Sequence, residues 1–415
     1  YTRGTTALRT FYAGLFHRIQ KEDLFFEGEF FWVAYDLAMM FPMLEMAGTH
    51  IQYIPDVSYV YNYNTPINDA KVHFEEQAAA DRYLRRQSKY KPIFHFNQSG
   101  PEKKIYITPG YWGELFSIDN PFFNRDNCLD VMYQLRERAK EHGYSLIQAD
   151  SIESLDDFEY LILYEVFPEQ LPYLKKYPKE KLILFLWEPP SVIPENYNPE
   201  YHEYFSKVYT WRDDLIDNKK YFKFHYPVYR PMIKNPIDFE WKRFSTLIAC
   251  NKNSDYPTEL YSQRWNVIDY FEDIKSDDFD LFGRGWPNYL KNYQGSIDKK
   301  VDFQKYYKFC FAYENVKAIP GYVTEKIFDC FQAGCVPVYW GAPNIEQYIP
   351  KNCFISREDF ESHEALYHFL KGMKKEQHEE YIRNIQQFLE TPRAHRFSVE
   401  HFIDNFMELI TTPAT

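Results

Sequence analysis

The sequence predicts an α/β protein: two successive layers of parallel strands and helices, a helical tail, and a mostly helical extension in front. Three observations predict it. Short apolar runs alternate with helical stretches over 104–187. The alternation restarts at 244–250, FSTLIAC, and continues to 339. Helical periodicity then fills 360–371, 376–389 and 399–410. At 415 residues the chain exceeds the size at which one core usually stops growing, so two or three domains are expected.

The first stretch, 1–90, is read as an extension. WVAYDLAMMFPMLEMAG (32–48) predicts a helix interrupted at Pro42 and stopped at Gly48. Residues 51–63 read as short strands around Pro55, and 68–90, with EEQAAADRYLRRQ, as a solvent-facing connecting helix. A domain over 91–235 follows, with strands at 104–108, 145–148, 160–165 and 181–187 and a helix at 129–142. The proline-rich piece 227–236 reads as a crossing to the next domain. That domain, 236–360, has strands at 244–250, 279–282, 307–312 and 336–339 and helices at 259–274 and 324–333. The tail, 361–415, is helical, and a return across the first layer is one course open to it.

Composition narrows the function. The chain is 45% hydrophobic, enough for substantial cores, and most of its 37 Tyr and 36 Phe are expected to be packing. Lys and Arg total 48 against 60 Asp and Glu, a formal charge of -12 that disfavours nucleic acid as a partner. One small phosphorylated ligand held by local basic groups remains compatible. Cys128, Cys250, Cys310, Cys330, Cys335 and Cys353 form no CxxC pair and show no zinc spacing, so reduced thiols are expected. That predicts a cytoplasmic setting, with any membrane association supplied by sequence outside this chain. The opening at Tyr1 predicts that more sequence precedes it. Asn97-Gln98-Ser99 is a formal glycosylation acceptor, weak by itself as a sign of secretion. No apolar run reaches the roughly 18–20 residues of a membrane span. GxGxxG and Walker A patterns are absent, and no internal repeat is evident.

The chemistry concentrates in 309–341, FCFAYENVKAIPGYVTEKIFDCFQAGCVPVYWG. Glu314 and Asn315 follow an apolar strand directly, at the carboxyl end where open α/β sheets bind ligands. Taken alone they read equally well as a loop cap. Thr324 can cap the helix that follows, whose first amides can receive an anion. Glu325 can accept hydroxyl hydrogen bonds, and Lys326 can meet a phosphate as a point charge. A charged first helical turn is the bland alternative. Gly334 reads as a helix stop, and Gly341 as close passage of the chain near a ligand.

The block EN…GYVTEKIFDCFQAGCVPVYWG resembles the donor-binding signature of the α-1,3/1,4-fucosyltransferases, glycosyltransferase family 10. Weaker agreement extends over about 104–354. The resemblance implies two facing Rossmann-like domains, the GT-B arrangement, with GDP-fucose as donor and inversion at the anomeric carbon. It further implies donor contacts from Glu314, Asn315, Tyr322, Glu325 and Lys326, and from Arg264 in LYSQRWNVIDYF by a looser alignment. Trp187-Glu188-Pro189-Pro190 resembles the family's Glu-Ser-Pro segment, although the serine is missing, and makes Glu188 the implied general base. Trp211-Arg212-Asp213-Asp214 resembles a segment at the cleft floor, and Gly283-Arg284-Gly285 is read as shaping the nucleotide pocket. No essential metal or cofactor is expected beyond the donor itself. The expected partners are a nucleotide sugar and a glycan acceptor. Residues 32–69 resemble the end of a different, A-type transferase of family 2, in which Asp36 matches the base. That piece is expected to act as a packed remnant.

Three functions follow as expectations: fucosyl transfer to the 3-position of N-acetylglucosamine, the same fold serving another nucleotide sugar, or a non-catalytic carbohydrate-binding module. A donor panel separates the first two. Glycan binding without turnover identifies the third.

Overall fold

The computed structural model describes residues 13–26, 28–48, 51, 72–91, 103–110, 113–120 and 124–411. They fall into two compact units divided at residue 100. In the first, strands β1 (Phe25–Phe26) and β2 (Glu29–Phe30) form a hairpin, followed by helices α1 (Tyr35–Ala47) and α2 (Phe74–Leu84). Phe31, Val33, Ala38, Phe41, Ala80 and Leu84 make its core. The expected interruption at Pro42 does not occur: α1 runs through it, with Phe41, Pro42 and Met43 all buried. Their packing outweighs the one backbone bond that proline cannot donate. Gly48 then stops the helix at φ 56°. The strands expected at 51–63 lie almost wholly outside the described residues, as does the Asn97 triplet.

The second unit contains both α/β layers. Strands β3 (Lys103–Thr108), β4 (Tyr144–Gln148), β5 (Tyr160–Tyr164), β6 (Leu182–Leu186), β7 (Lys207–Thr210) and β8 (Tyr221–Lys223) form a six-stranded sheet in the order β4-β3-β5-β6-β7-β8. All its pairings are parallel. YLILY and LILFL, the central β5 and β6, are buried at every position, which is why they read as continuous apolar runs. Helix α3 (Asp130–Glu141) packs Val131, Met132, Leu135 and Ala139 into the core of this sheet.

The second sheet has five parallel strands, β9 (Arg243–Ile248), β10 (Phe279–Phe282), β11 (Tyr307–Tyr313), β12 (Val336–Trp340) and β13 (Ile355–Ser356), in the order β10-β9-β11-β12-β13. Helices α4 (Tyr261–Asp273) and α5 (Glu325–Ala333) lie between its strands in sequence. Both sheets reverse strand order beside their first strand, at β3/β5 and at β9/β11. Those switch points are where open α/β sheets admit ligands, at the strands' carboxyl ends.

Helices α6 (His363–Gly372), α7 (Lys375–Leu389) and α8 (Val399–Thr411) complete the chain. The last returns to the first sheet: Phe402, Ile403, Phe406 and Ile410 join the core that holds Ile105 and Ile107. The Tyr144 hydroxyl donates to the Ile410 carbonyl at 2.9 Å. The same core takes in Val316, Ile319 and Tyr322 from the loop after β11, so the two sheets share apolar packing and form one unit.

Candidate functional site

Several contacts close the two sheets on each other through the loops at their carboxyl ends. Ser254, after β9, donates its hydroxyl to the Ser191 carbonyl at 2.8 Å. Asp213, after β7, receives the Tyr348 hydroxyl at 2.5 Å and Asn344 Nδ2 at 2.7 Å. Lys223 Nζ pairs with the same carboxylate at 2.7 Å. Asp213 also donates its amide to the Pro320 carbonyl at 3.1 Å. The segment at 211–214 is therefore an anchor of the seam.

On the first-sheet side, Glu188 stands just beyond β6 and is part-buried. Burial pushes its carboxyl up, while Lys252 and Lys326 pull it down and Glu325 pushes it up again. Lys252 follows β9, and Glu325 and Lys326 open α5, so Glu188 meets mixed charge from the second-sheet side. Its backbone is tightly held. The Glu188 amide donates to Glu165 Oε1 and its carbonyl receives the Tyr197 hydroxyl, both at 2.8 Å. The preceding Trp187 carbonyl receives Trp211 Nε1 at 3.1 Å and the Tyr226 hydroxyl.

On the facing side, the loop from β11 to α5 carries most of the predicted residues. Arg264, on α4, is buried at 4% exposure, and its Nη2 donates to the Tyr313 and Glu314 carbonyls at 3.0 Å and to Asn315 Oδ1 at 3.1 Å. Asn315 in turn donates Nδ2 to the Tyr322 hydroxyl at 3.2 Å. The Tyr322 ring packs on Trp211 of the first-sheet side, with centroids 4.5 Å apart. Burial foremost, with Glu314, Glu188 and Glu325 nearby, holds its phenol well above the usual range.

Thr324 caps α5 by accepting the Lys326 amide, and Glu325 and Lys326 occupy the first turn. Lys326 Nζ lies 3.4 Å from both Glu314 Oε2 and Glu325 Oε1. Burial works against the charge on Glu325, yet Lys326 and Lys300 override it and hold that carboxyl down at about 2. Burial likewise opposes the ammonium of Lys326, and Glu325 and Glu314 more than restore it. The turn therefore presents a charged cation and an ionised carboxylate side by side at a helix start.

Two expectations change in kind. Glu314 is 0% exposed and both its oxygens are engaged by Thr324 and Lys326, which places its carboxylate behind the loop instead of at its surface. Gly341 makes room for protein: a Cβ there would come within 2.5 Å of Glu314 Cγ and the Tyr339 hydroxyl. Asp36 lies in the first turn of α1 in the other unit. Three further residues at the site escaped the sequence reading. Lys300 pairs with Asp329 at 3.1 Å and with Glu325 and Asp126 at 3.8 Å, in a stretch with no motif to mark it. Lys252 follows β9 among polar loop residues. Glu165 carried one signal, an acid directly after a wholly apolar strand. Among the described residues no group of three His, Cys, Asp or Glu side chains is placed to hold a metal ion. No described helix is long and apolar enough to cross a membrane.

Residues 249–399, which include this whole loop, match the family model for the C-terminal part of glycosyltransferase family 10, the fucosyltransferases. This part of the chain is a glycosyltransferase family 10 domain. Among similar proteins, the α-(1,3)-fucosyltransferase FucT of Helicobacter pylori is 25% identical over 150 residues, 36% of this chain and 28% of that protein. The mouse 4-galactosyl-N-acetylglucosaminide 3-α-L-fucosyltransferase 9 is 29% identical over 207 residues, 49% of this chain and 52% of that protein. The GDP-fucose protein O-fucosyltransferase 3 of Xenopus tropicalis is 31% identical over 116 residues, 28% of this chain and 24% of that protein. The chain thus spans between about a quarter and half the length of these curated relatives. A crystal structure of an α1,3-fucosyltransferase superposes with a TM-score of 0.50 at 15% identity, covering 77% of this chain and 93% of that one. The likeness shows the fold, two Rossmann-like sheets in the GT-B arrangement.

Proposed function

We propose that the chain transfers L-fucose from GDP-β-L-fucose to a hydroxyl of an N-acetylglucosamine-containing glycan, forming an α-1,3 linkage with inversion. The observation that carries this reading is the placement of Glu188 at the end of one sheet, opposite the Lys326–Glu325 helix start of a family 10 domain. Lys326 and Arg264 face the diphosphate, as the charges that offset what develops on the leaving group. Asn315, Tyr322 and Glu325 take the donor's hydroxyls, and Glu314 holds their loop in shape. The acceptor oxygen attacks C1 of fucose as the bond from C1 to the phosphate oxygen breaks. GDP leaves with the bonding pair, and the acceptor's proton passes to Glu188. One displacement turns the β-linked donor into an α-linked product.

A carboxyl raised by burial suits this role, because a base more basic than a solvated carboxylate takes the proton more readily. The buried thiols of Cys310, Cys330, Cys335 and Cys353, joined in no disulfide, support a reducing, cytoplasmic setting. The test is a screen of GDP-fucose, GDP-mannose and UDP-sugars against N-acetyllactosamine, chitobiose and peptide acceptors. Release of GDP together with a fucosylated glycan is the expected result. Transfer from another donor without use of GDP-fucose overturns the donor assignment. Transfer to peptide alone overturns the acceptor class, and glycan binding with no turnover favours a binding module.

A further inference from the structure

Glu165 ends β5 at the switch point of the first sheet, and the fold makes unusual provision for it. Its φ is 69°, in the left-handed region that glycine favours and glutamate rarely adopts. It is 1% exposed. Across the switch point, Gly110 follows β3, and a Cβ on it would overlap the Tyr164 carbonyl and lie 2.5 Å from Glu165 Oε2. Backbone strain at one strand end and a missing side chain at the other thus serve the placement of a single carboxylate.

What that carboxylate does is visible one strand away. Its Oε1 accepts the Glu188 amide at 2.8 Å, across 23 residues of sequence. The Glu188 carbonyl is fixed by Tyr197, the Trp187 carbonyl by Trp211 and Tyr226, and Pro189 and Pro190 follow. Glu188 is therefore held by its backbone on both sides, and Glu165 provides the acceptor at the amide. Burial keeps Glu165 itself out of reach of a substrate hydroxyl.

We propose that Glu165 is a positioning residue for fucosyl transfer: it fixes the Glu188 backbone so that the Glu188 carboxylate enters the cleft in one orientation. This rests on the reading of Glu188 as the base. Two substitutions separate its effects. E165G suits the φ of 69° and removes the acceptor, whereas E165Q keeps an acceptor oxygen in the same place.

Steady-state kinetics with GDP-fucose and N-acetyllactosamine should show E165G lowering kcat about tenfold or more, with the donor KM and melting temperature near wild type. E165Q should restore kcat to within about threefold. Wild-type kcat in E165G overturns the proposal, as does an E165Q as slow as E165G. If E165G no longer binds GDP, E165M carries the same readout, and loss of GDP binding in both makes Glu165 a folding residue and also overturns it. E188Q separates the two readings. Full turnover in E188Q sinks the base assignment and the positioning role with it. An inactive E188Q beside a fully active E165G sinks the positioning role alone.

Discussion

Both carboxylate oxygens of Glu314 are taken by Thr324, Oε1 by its amide at 2.9 Å and Oε2 by its hydroxyl at 2.7 Å. This pair ties the end of β11 to the N-cap of α5, so the loop bearing Asn315 and Tyr322 is closed at its base. Replacing Glu314 by alanine leaves a buried amide and a buried hydroxyl without their acceptor and takes from Lys326 one of its two carboxylate partners. E314A should cost about 3 kcal/mol of stability, since buried charge-assisted bonds are lost and their partners stranded. Urea unfolding measures it, and GDP binding should weaken in parallel. Unchanged stability would mean that the loop keeps its form without this clasp.

Gly321 makes a second prediction within the same loop. Its φ is 87°, and a Cβ there would overlap the Trp211 carbonyl and press on Lys223 Nζ at 2.8 Å. G321A should therefore destabilise the chain by at least about 2 kcal/mol, through left-handed strain and a clash with backbone that cannot yield. A melting temperature equal to wild type would contradict the close approach of the two sheets at this point.

Lys326 stands at the helix start with its charge reinforced by Glu325 and Glu314. K326M keeps most of the apolar stem and removes the point charge. The donor KM should rise by about thirtyfold or more, and stability should fall as well, because Glu314 and Glu325 lose their shared cation. A donor KM within about twofold of wild type would remove Lys326 from the diphosphate site.

Much of this was legible from local signals. β5 and β6 are buried on both faces and read as unbroken apolar runs. Thr324 and Gly334 mark the two ends of α5 by cap chemistry alone. β7 and β8 were not read, because KVYT and YFK are short and only partly buried, and they become strands through pairing with β6 and with each other. Glu188 was singled out by the family resemblance, and its place just after a strand, like that of Lys326 at a helix start, was legible from the element ends. The inward turn of Glu314 did not, since it depends on Gly341 passing close behind it. Glu165 and Lys300 act through partners distant in sequence, and no spacing rule connects them.

Acid stability gives a further test. His378 is 2% exposed, stands between Phe309 and Phe239, and its Nε2 lies 3.1 Å from the Lys308 carbonyl. Burial first, against the Lys308 carbonyl's opposing pull, lowers its folded-state value to about 4 from the ordinary 6.5. The unfolded chain then binds more protons between those values. The neutral ring's contribution is whole above about 6.5 and is lost as pH falls toward 4, by up to about 3 kcal/mol. Melting temperatures across this window should fall less steeply in H378Q than in wild type. Parallel curves would show that another group governs the acid limb.

The central claim is fucosyl transfer with Glu188 as the base, and one experiment meets it directly. Wild type and E188Q are each incubated with GDP-β-L-fucose and N-acetyllactosamine, and GDP binding and the NMR spectrum of the product are recorded for both. Wild type should give an α-linked fucose on O3 of N-acetylglucosamine, while E188Q binds GDP normally and turns over about a thousandfold or more slowly. A β-linked product, or an E188Q that transfers fucose at the wild-type rate, would contradict the account.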